Sequence, residues 1–112
     1  MFPTYDEGIG PLEGIQIIVT PNQEEGYNEI TIISSESRLC GNFYIYRDLD
    51  VIVDLTIDTE NKTYSYKDFT IEHNKEYVYA IRQYDGNIMT SKVYSNAVAC
   101  DFEHAYLYDG NK

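Results

Sequence analysis

The chain has 112 residues, 19 Asp and Glu against 8 Lys and Arg, and a formal net charge of −11. That length is one domain, large enough to build a core without metals or disulfides. The acidic balance excludes direct nucleic-acid binding and attachment to anionic membranes, both of which need clustered cations.

No window approaches the ~20 consecutive apolar residues of a membrane helix, so membrane insertion is not expected. The opening "MFPTYDEGIGPLEG" is acidic and interrupted by Gly and Pro. It lacks the basic and apolar regions of a signal peptide, so no export address is expected in it.

Helix signals are nearly absent, since no window sustains an i, i+3, i+4, i+7 apolar stripe. Strand signals follow one another instead. "IQIIVT" (15–20) alternates Ile15, Ile17 and Val19 and stops at Pro21-Asn22. "NEITIIS" (28–34) puts Ile30 and Ile32 on one side, and "FYIYR" (43–47) sets Phe43 and Ile45 against Tyr44 and Tyr46. "VIVDLTI" (51–57), "TYSYKDF" (63–69), "EYVYAIRQY" (76–84) and "KVYSNAVAC" (92–100) complete the set, with a turn at Asp85-Gly86-Asn87. Short strands with turn residues at regular spacing predict an all-β fold, an antiparallel seven-stranded β-sandwich. Alternation in 76–84 directs Tyr77, Tyr79 and Ile81 inward, and Val78, Ala80 and Arg82 outward. Residues 1–13 are expected to be an N-terminal arm, 14–100 the sandwich, and 101–112 a connector or tail. Both arms are expected to order only on assembly.

The stretch "YSYKDFTIEHNKEYVYAIRQYDGNIMTSKVYSNAV" resembles the second half of a fibronectin type III domain. Tyr66 and Asp68 match that family's Tyr-x-Asp on strand E, and Ile71, His73 and Tyr77 stand at its Leu-x-Pro-x-x-x-Tyr positions, with His73 in place of Pro. "GNFYIYRD" is similar to its strand C. The resemblance spans roughly residues 13–100. It implies an immunoglobulin-like core of Tyr77, Tyr79, Ile81, Ile32, Ile45 and Tyr66. Ile32 would fill the volume of the family's Trp, which this chain lacks. Tyr77 would be the tyrosine-corner residue, its ring inside and its hydroxyl bonded to upstream backbone. The family's strand order also implies that Cys40 and Cys100 lie at opposite ends of the sandwich and remain free thiols.

A second stretch, "YAIRQYDGNIMTSKVYSNAVACDFEHAYLYDG", is similar to segments of phage tail and baseplate minor structural proteins. There a fibronectin-like module runs into an acidic, aromatic connector, matched here by residues 101–110. This resemblance implies a non-enzymatic virion component, assembled in the bacterial host cytoplasm. Its partners would be other virion proteins, copies of itself in a symmetric assembly, or host surface polysaccharide. Tyr44, Tyr46, Tyr94, Phe102, Tyr106 and Tyr108 are the residues expected to form its contact surface. Two alternatives stand beside it: a carbohydrate-binding module, and an accessory domain of a secreted bacterial hydrolase or adhesin.

No catalytic, cofactor or metal site is expected. His73 and His104, the only histidines, have no neighbouring Ser or Cys in a nucleophile motif. The acids Asp48, Asp50, Asp54, Asp58 and Glu60 lack the compact loop spacing of a calcium site and read as solvated strand and turn acids. Asn61-Lys62-Thr63 is a formal glycosylation sequon to which no role is assigned.

Overall fold

The structure, a computed structural model, describes residues 14–35 and 38–102. Among them are eight strands: β1 (Ile15–Asn22), β2 (Tyr27–Ser34), β3 (Cys40–Arg47), β4 (Asp50–Asp58), β5 (Thr63–Asp68), β6 (Glu76–Asp85), β7 (Ile88–Met89) and β8 (Val93–Ala99). They form two antiparallel sheets. One has the order β1-β2-β5; the other runs β4-β3-β6, with β7 and β8 both pairing β6. The arms expected at 1–13 and 101–112 lie outside the described residues, except for Asp101 and Phe102.

Alternation explains most of the core. Ile17, Val19, Ile30 and Ile32 from the smaller sheet meet Phe43, Ile45, Ile57, Tyr77, Tyr79, Ile81 and Val98 from the larger one, all buried. Tyr66 is half-buried and packs against this cluster. Shortening a fully enclosed member such as Ile32 or Ile45 to Ala would cost about 2–5 kcal/mol.

The turns follow their residues. Gly26 ends the β1–β2 turn at φ 81°, and its amide donates to Asn22 O at 2.9 Å. Gly86 takes φ 65° at the first central position of the two-residue β6–β7 loop, a conformation L side chains resist.

The last expected strand departs from a simple alternation. β8 (Val93–Ala99) lies within the expected run over 92–100, and a two-residue strand not expected from the sequence, β7 (Ile88–Met89), precedes it. Within β8 the register against β6 slips between Val78 and Ala80: Val78 faces Ala97, whereas Ala80 faces Tyr94. Ser95 and Asn96 occupy this bulge. Ser95 Oγ accepts the Tyr79 amide at 3.0 Å, filling the gap left in the ladder. Asn96 is re-aimed across to the other sheet, as bulges commonly do. Its Oδ1 accepts from Val19 N at 3.1 Å and its Nδ2 donates to Val19 O at 3.0 Å. A side-chain amide thus substitutes for a strand and joins the edges of β1 and β8.

A polar cluster sits inside the sandwich. Asp68, only 3% exposed, accepts from the Tyr79 hydroxyl at 2.7 Å and from Arg47 Nη1 at 2.9 Å. Its other oxygen takes the Thr70 amide and hydroxyl at 3.0 and 2.6 Å. Asn28 Nδ2 donates to Tyr79 Oη at 2.9 Å. Burial pushes the Asp68 carboxyl up, but the bonds from Thr70, Tyr79 and Arg47 outweigh it and hold its pKa below the ordinary value. Burial also raises the Tyr79 phenol, and its bond to Asp68 adds to the rise.

Two cysteines are free: Cys40 exposed and Cys100 buried. β3 and β8 are both antiparallel to β6 and therefore parallel to each other. The start of one and the end of the other fall at opposite ends of the sheet.

Candidate functional site

The outer face of the larger sheet collects the unusual surface chemistry. Register places Asp54 and Arg82 on either side of Tyr44, Val51 and Ala80 on either side of Tyr46, and Tyr94 beyond Ala80. Tyr84 reaches diagonally to Tyr44, and the two rings stack with centroids 4.2 Å apart and planes 13° from parallel. The Tyr84 hydroxyl donates to Asp54 Oδ1 at 2.7 Å. That bond, chiefly, pushes the Tyr84 phenol up to about 12.

Next to this pair, Tyr46 lies under two cations. Lys92 Nζ is 4.1 Å and the Arg82 guanidinium carbon 5.7 Å from its ring centroid. Tyr44 meets the same ring edge-on at 6.5 Å. Each such contact is worth roughly 0.5–1.5 kcal/mol, enough to fix the rings before any partner arrives.

Of the expected contact residues, Tyr94 is open to solvent (62% exposed) and Tyr44 is half-buried. Tyr46 corrects the expectation. It faces outward by alternation yet is 8% exposed, because Lys92 and Arg82 fold over it. Ala80 keeps the outward face expected of it. It is buried there because its cross-strand neighbours Tyr46 and Tyr94 overshadow its single methyl. Phe102, expected in the tail, instead packs against the core. Its ring comes within 3.4 Å of where a Cβ on Gly26 would stand, and meets His73 edge-on at 5.5 Å. Tyr106 and Tyr108 lie outside the described residues. Alternation gives Arg82 an outward direction, but Arg82, Tyr84 and Lys92 are not among the expected contact residues of this face. The alternation along β6 that points Arg82 outward was the available signal.

Tyr77 is buried, and its Oη accepts the Glu72 amide at 3.0 Å. The Arg47 guanidinium carbon lies 5.0 Å from that ring's centroid.

The other candidates separate in space. Among the described residues, no group of three or more His, Cys, Asp or Glu side chains is placed to hold a metal ion. Asp48, at φ 58°, accepts the Val78 amide at 3.1 Å and pins the β3–β4 turn to β6. Asp54 takes the Tyr84 hydroxyl, and Asp58 pairs with Arg38 at 2.8 Å. His73 sits in a turn with its Nδ1 3.5 Å from Asp101 Oδ1. The Cys100 thiol is pushed up by burial and donates to Asn22 O at 3.4 Å, a poor setting for a nucleophile.

Chemically, the sheet face offers rigid aromatic surface with two cations and a rim of acids. Tyrosine, arginine and methionine are enriched where proteins bind proteins, and Met89 joins this face through Arg82 Nη1 at 3.3 Å from its sulfur. A sugar needs an open ring face for stacking. Here Tyr44 and Tyr84 cover one another and Tyr46 is occupied by Lys92, which leaves Tyr94 as the open ring among the described contact residues.

No family model matches the chain, and no curated protein does. Among solved structures the chain is similar to a pectate lyase from Pectobacterium carotovorum, with a TM-score of 0.51 and 18% identity. The likeness covers 76% of this chain and 25% of that one, so the chain spans a quarter of the length of the protein it matches. At that identity the likeness is one of fold alone.

Proposed function

We propose that this chain is a fibronectin type III-like sandwich acting as a non-catalytic contact module in a phage tail, baseplate or other virion component. The observation that carries the contact role is the preassembled outer face of the larger sheet, built on the Tyr44–Tyr84 stack and Tyr94. Rings already held in place lose little freedom on docking, and so favour a neighbouring subunit as partner, another virion protein or a second copy.

The finer fold assignment is supported by two features. The strand order β1-β2-β5 against β4-β3-β6-β8 is the one that family uses, with β7 and β8 together standing as its last strand. The bond from the Glu72 amide to Tyr77 Oη has the form of a tyrosine corner. The virion assignment is supported by the likeness of residues 79–110 to tail and baseplate segments.

Quantitative proteomics of purified particles tests the reading. The chain should be present at a fixed ratio to the major tail protein, and Tyr44→Ala/Tyr94→Ala should fold but leave the particles. Absence from particles would overturn it.

A second reading is an accessory domain of a secreted bacterial hydrolase or adhesin; what supports it is that a fold of this kind is matched over 25% of the longer pectate lyase chain. It predicts the chain in the culture medium, covalently joined to a catalytic domain.

A further inference from the structure

Two sheets present four outer strand edges, and such edges are ready templates for another chain unless blunted. The β1 edge contains Pro21 and is occupied at Val19 by Asn96. The β7–β8 edge is broken over residues 90–92 and bulged at Ser95–Asn96. β5 is short, six residues, and ends in the buried Asp68 cluster. β4 differs. After a bulge at Ile52, Val53–Asp58 run in regular register with β3, and among the described residues no strand pairs with their other side.

We propose that the free edge of β4 is a strand-addition site for an extended segment carrying Lys or Arg. Charge selects this occupant. Asp54 and Asp58 are exposed and share the outward face of the strand: Asp54 lies opposite Tyr44 and takes the Tyr84 hydroxyl, and Asp58 lies opposite Cys40 in an exposed pair with Arg38 at 2.8 Å, which an incoming cation would share. They stand four residues apart, roughly 13 Å along a strand. Asp50 and Glu60, also exposed, flank them.

The same acids reject a second copy. Fully overlapped antiparallel pairing of two β4 strands would set Asp54 against Asp54 and Asp50 against Asp58, between molecules of net charge −11 each. A partner strand with basic residues at i and i+4 would turn that repulsion into attraction, while backbone hydrogen bonds supply the rest of the affinity. Leu55, half-buried, and Val51, 49% exposed, offer it apolar contact. Asp54 joins this edge to the tyrosine face through the Tyr84 hydroxyl, but strand addition uses the outer backbone groups of β4 and stands whether or not that face docks a subunit.

The test uses the full chain labelled with nitrogen-15 and two synthetic peptides. One is Lys-Val-Thr-Val-Lys-Val-Thr-Val-Lys; the other has Glu in place of each Lys. The lysine peptide should shift the amides of Val53–Asp58 and give cross-strand contacts to them, and the glutamate peptide should not. Asp54→Lys/Asp58→Lys, checked for folding by its dispersed spectrum, should weaken the lysine peptide by about tenfold and admit the glutamate peptide. Asp58→Lys alone, which spares the Tyr84 bond, should move both in the same direction. Shifts on the tyrosine face instead, binding indifferent to charge reversal, no shifts at millimolar peptide, or a β4-paired dimer of the chain itself would each overturn the proposal.

Discussion

Asp68 and Tyr79, eleven residues apart on different sheets, share a 2.7 Å hydrogen bond inside the sandwich. The same carboxylate oxygen takes Arg47 from β3, and Tyr79 takes Asn28 from β2. Four strands are therefore tied through one carboxylate and one phenol. Because Asp68 is enclosed, removing its charge leaves Arg47 facing a group that no longer balances it. Asp68→Ala should cost about 3–5 kcal/mol, read as a lowered midpoint of urea unfolding. Tyr79→Phe, which leaves the carboxylate three of its donor groups' bonds, should cost less.

That cluster also sets the response to acid. The folded pKa of Asp68 lies below its ordinary value near 4. The stabilisation is then fully present above the unfolded pKa, and is lost as pH falls through the folded one. Unfolding midpoints measured from pH 6 to pH 2 should drop steeply below about pH 4. Asp68→Asn should flatten that limb while lowering stability at neutral pH; an unchanged acid limb would show that other carboxylates control it.

Asn96 leads to a separate prediction, since its amide bonds both backbone groups of Val19. Asn96→Ala should cost about 1–3 kcal/mol and speed hydrogen exchange at Val19. Asn96→Asp should be worse than a mere loss of donor, because a carboxylate oxygen would then confront the Val19 carbonyl. Equal behaviour of the two variants would argue against the bidentate geometry.

How far the sequence reveals this molecule depends on what kind of signal each residue leaves. The strands were legible because burial on one face forces alternation. Ile30 and Ile32, Phe43 and Ile45, and Tyr77, Tyr79 and Ile81 all lie enclosed on one side of their strands. Ser95-Asn96 was not legible as a bulge, because two polar residues in a strand read equally well as solvent-facing. The depth of Asp68 was hidden by composition: among 19 acids nothing local marks the one that meets Arg47 and Tyr79. For Tyr46, alternation gives the face, but not that Lys92 from another part of the chain covers it. The stack of Tyr44 on Tyr84 likewise depends on the register between β3 and β6, which no single segment encodes.

The Tyr84–Asp54 bond can be read directly by titration. Tyr84 is held to about 12 chiefly because its hydroxyl donates to Asp54, and ionising it would set two negative groups 2.7 Å apart. Following the Tyr84 ring signals through alkaline pH should place its ionisation well above 10, and Asp54→Asn should bring it down. Ionisation that ignores Asp54 would mean the bond is not held in solution.

The thiols give the most direct check on the sandwich as a whole. Cys40 opens β3 at an exposed position, whereas Cys100 is enclosed and donates to the carbonyls of Asn22 and Tyr27 at 3.4 and 3.6 Å. Burial raises the Cys100 thiol, so it holds little reactive thiolate at neutral pH. With no reductant present, iodoacetamide should add once to the native protein, at Cys40, and twice in denaturant. The second addition should then report opening of the end where β8 packs on the β1–β2 turn. Its rate should rise in Gly26→Ala, because a methyl there strains a φ of 81° and crowds the Phe102 ring at 3.4 Å. Rapid double alkylation of the native chain would mean that this end of the sandwich is open, and no alkylation in denaturant without reductant would mean that the two sulfurs are joined.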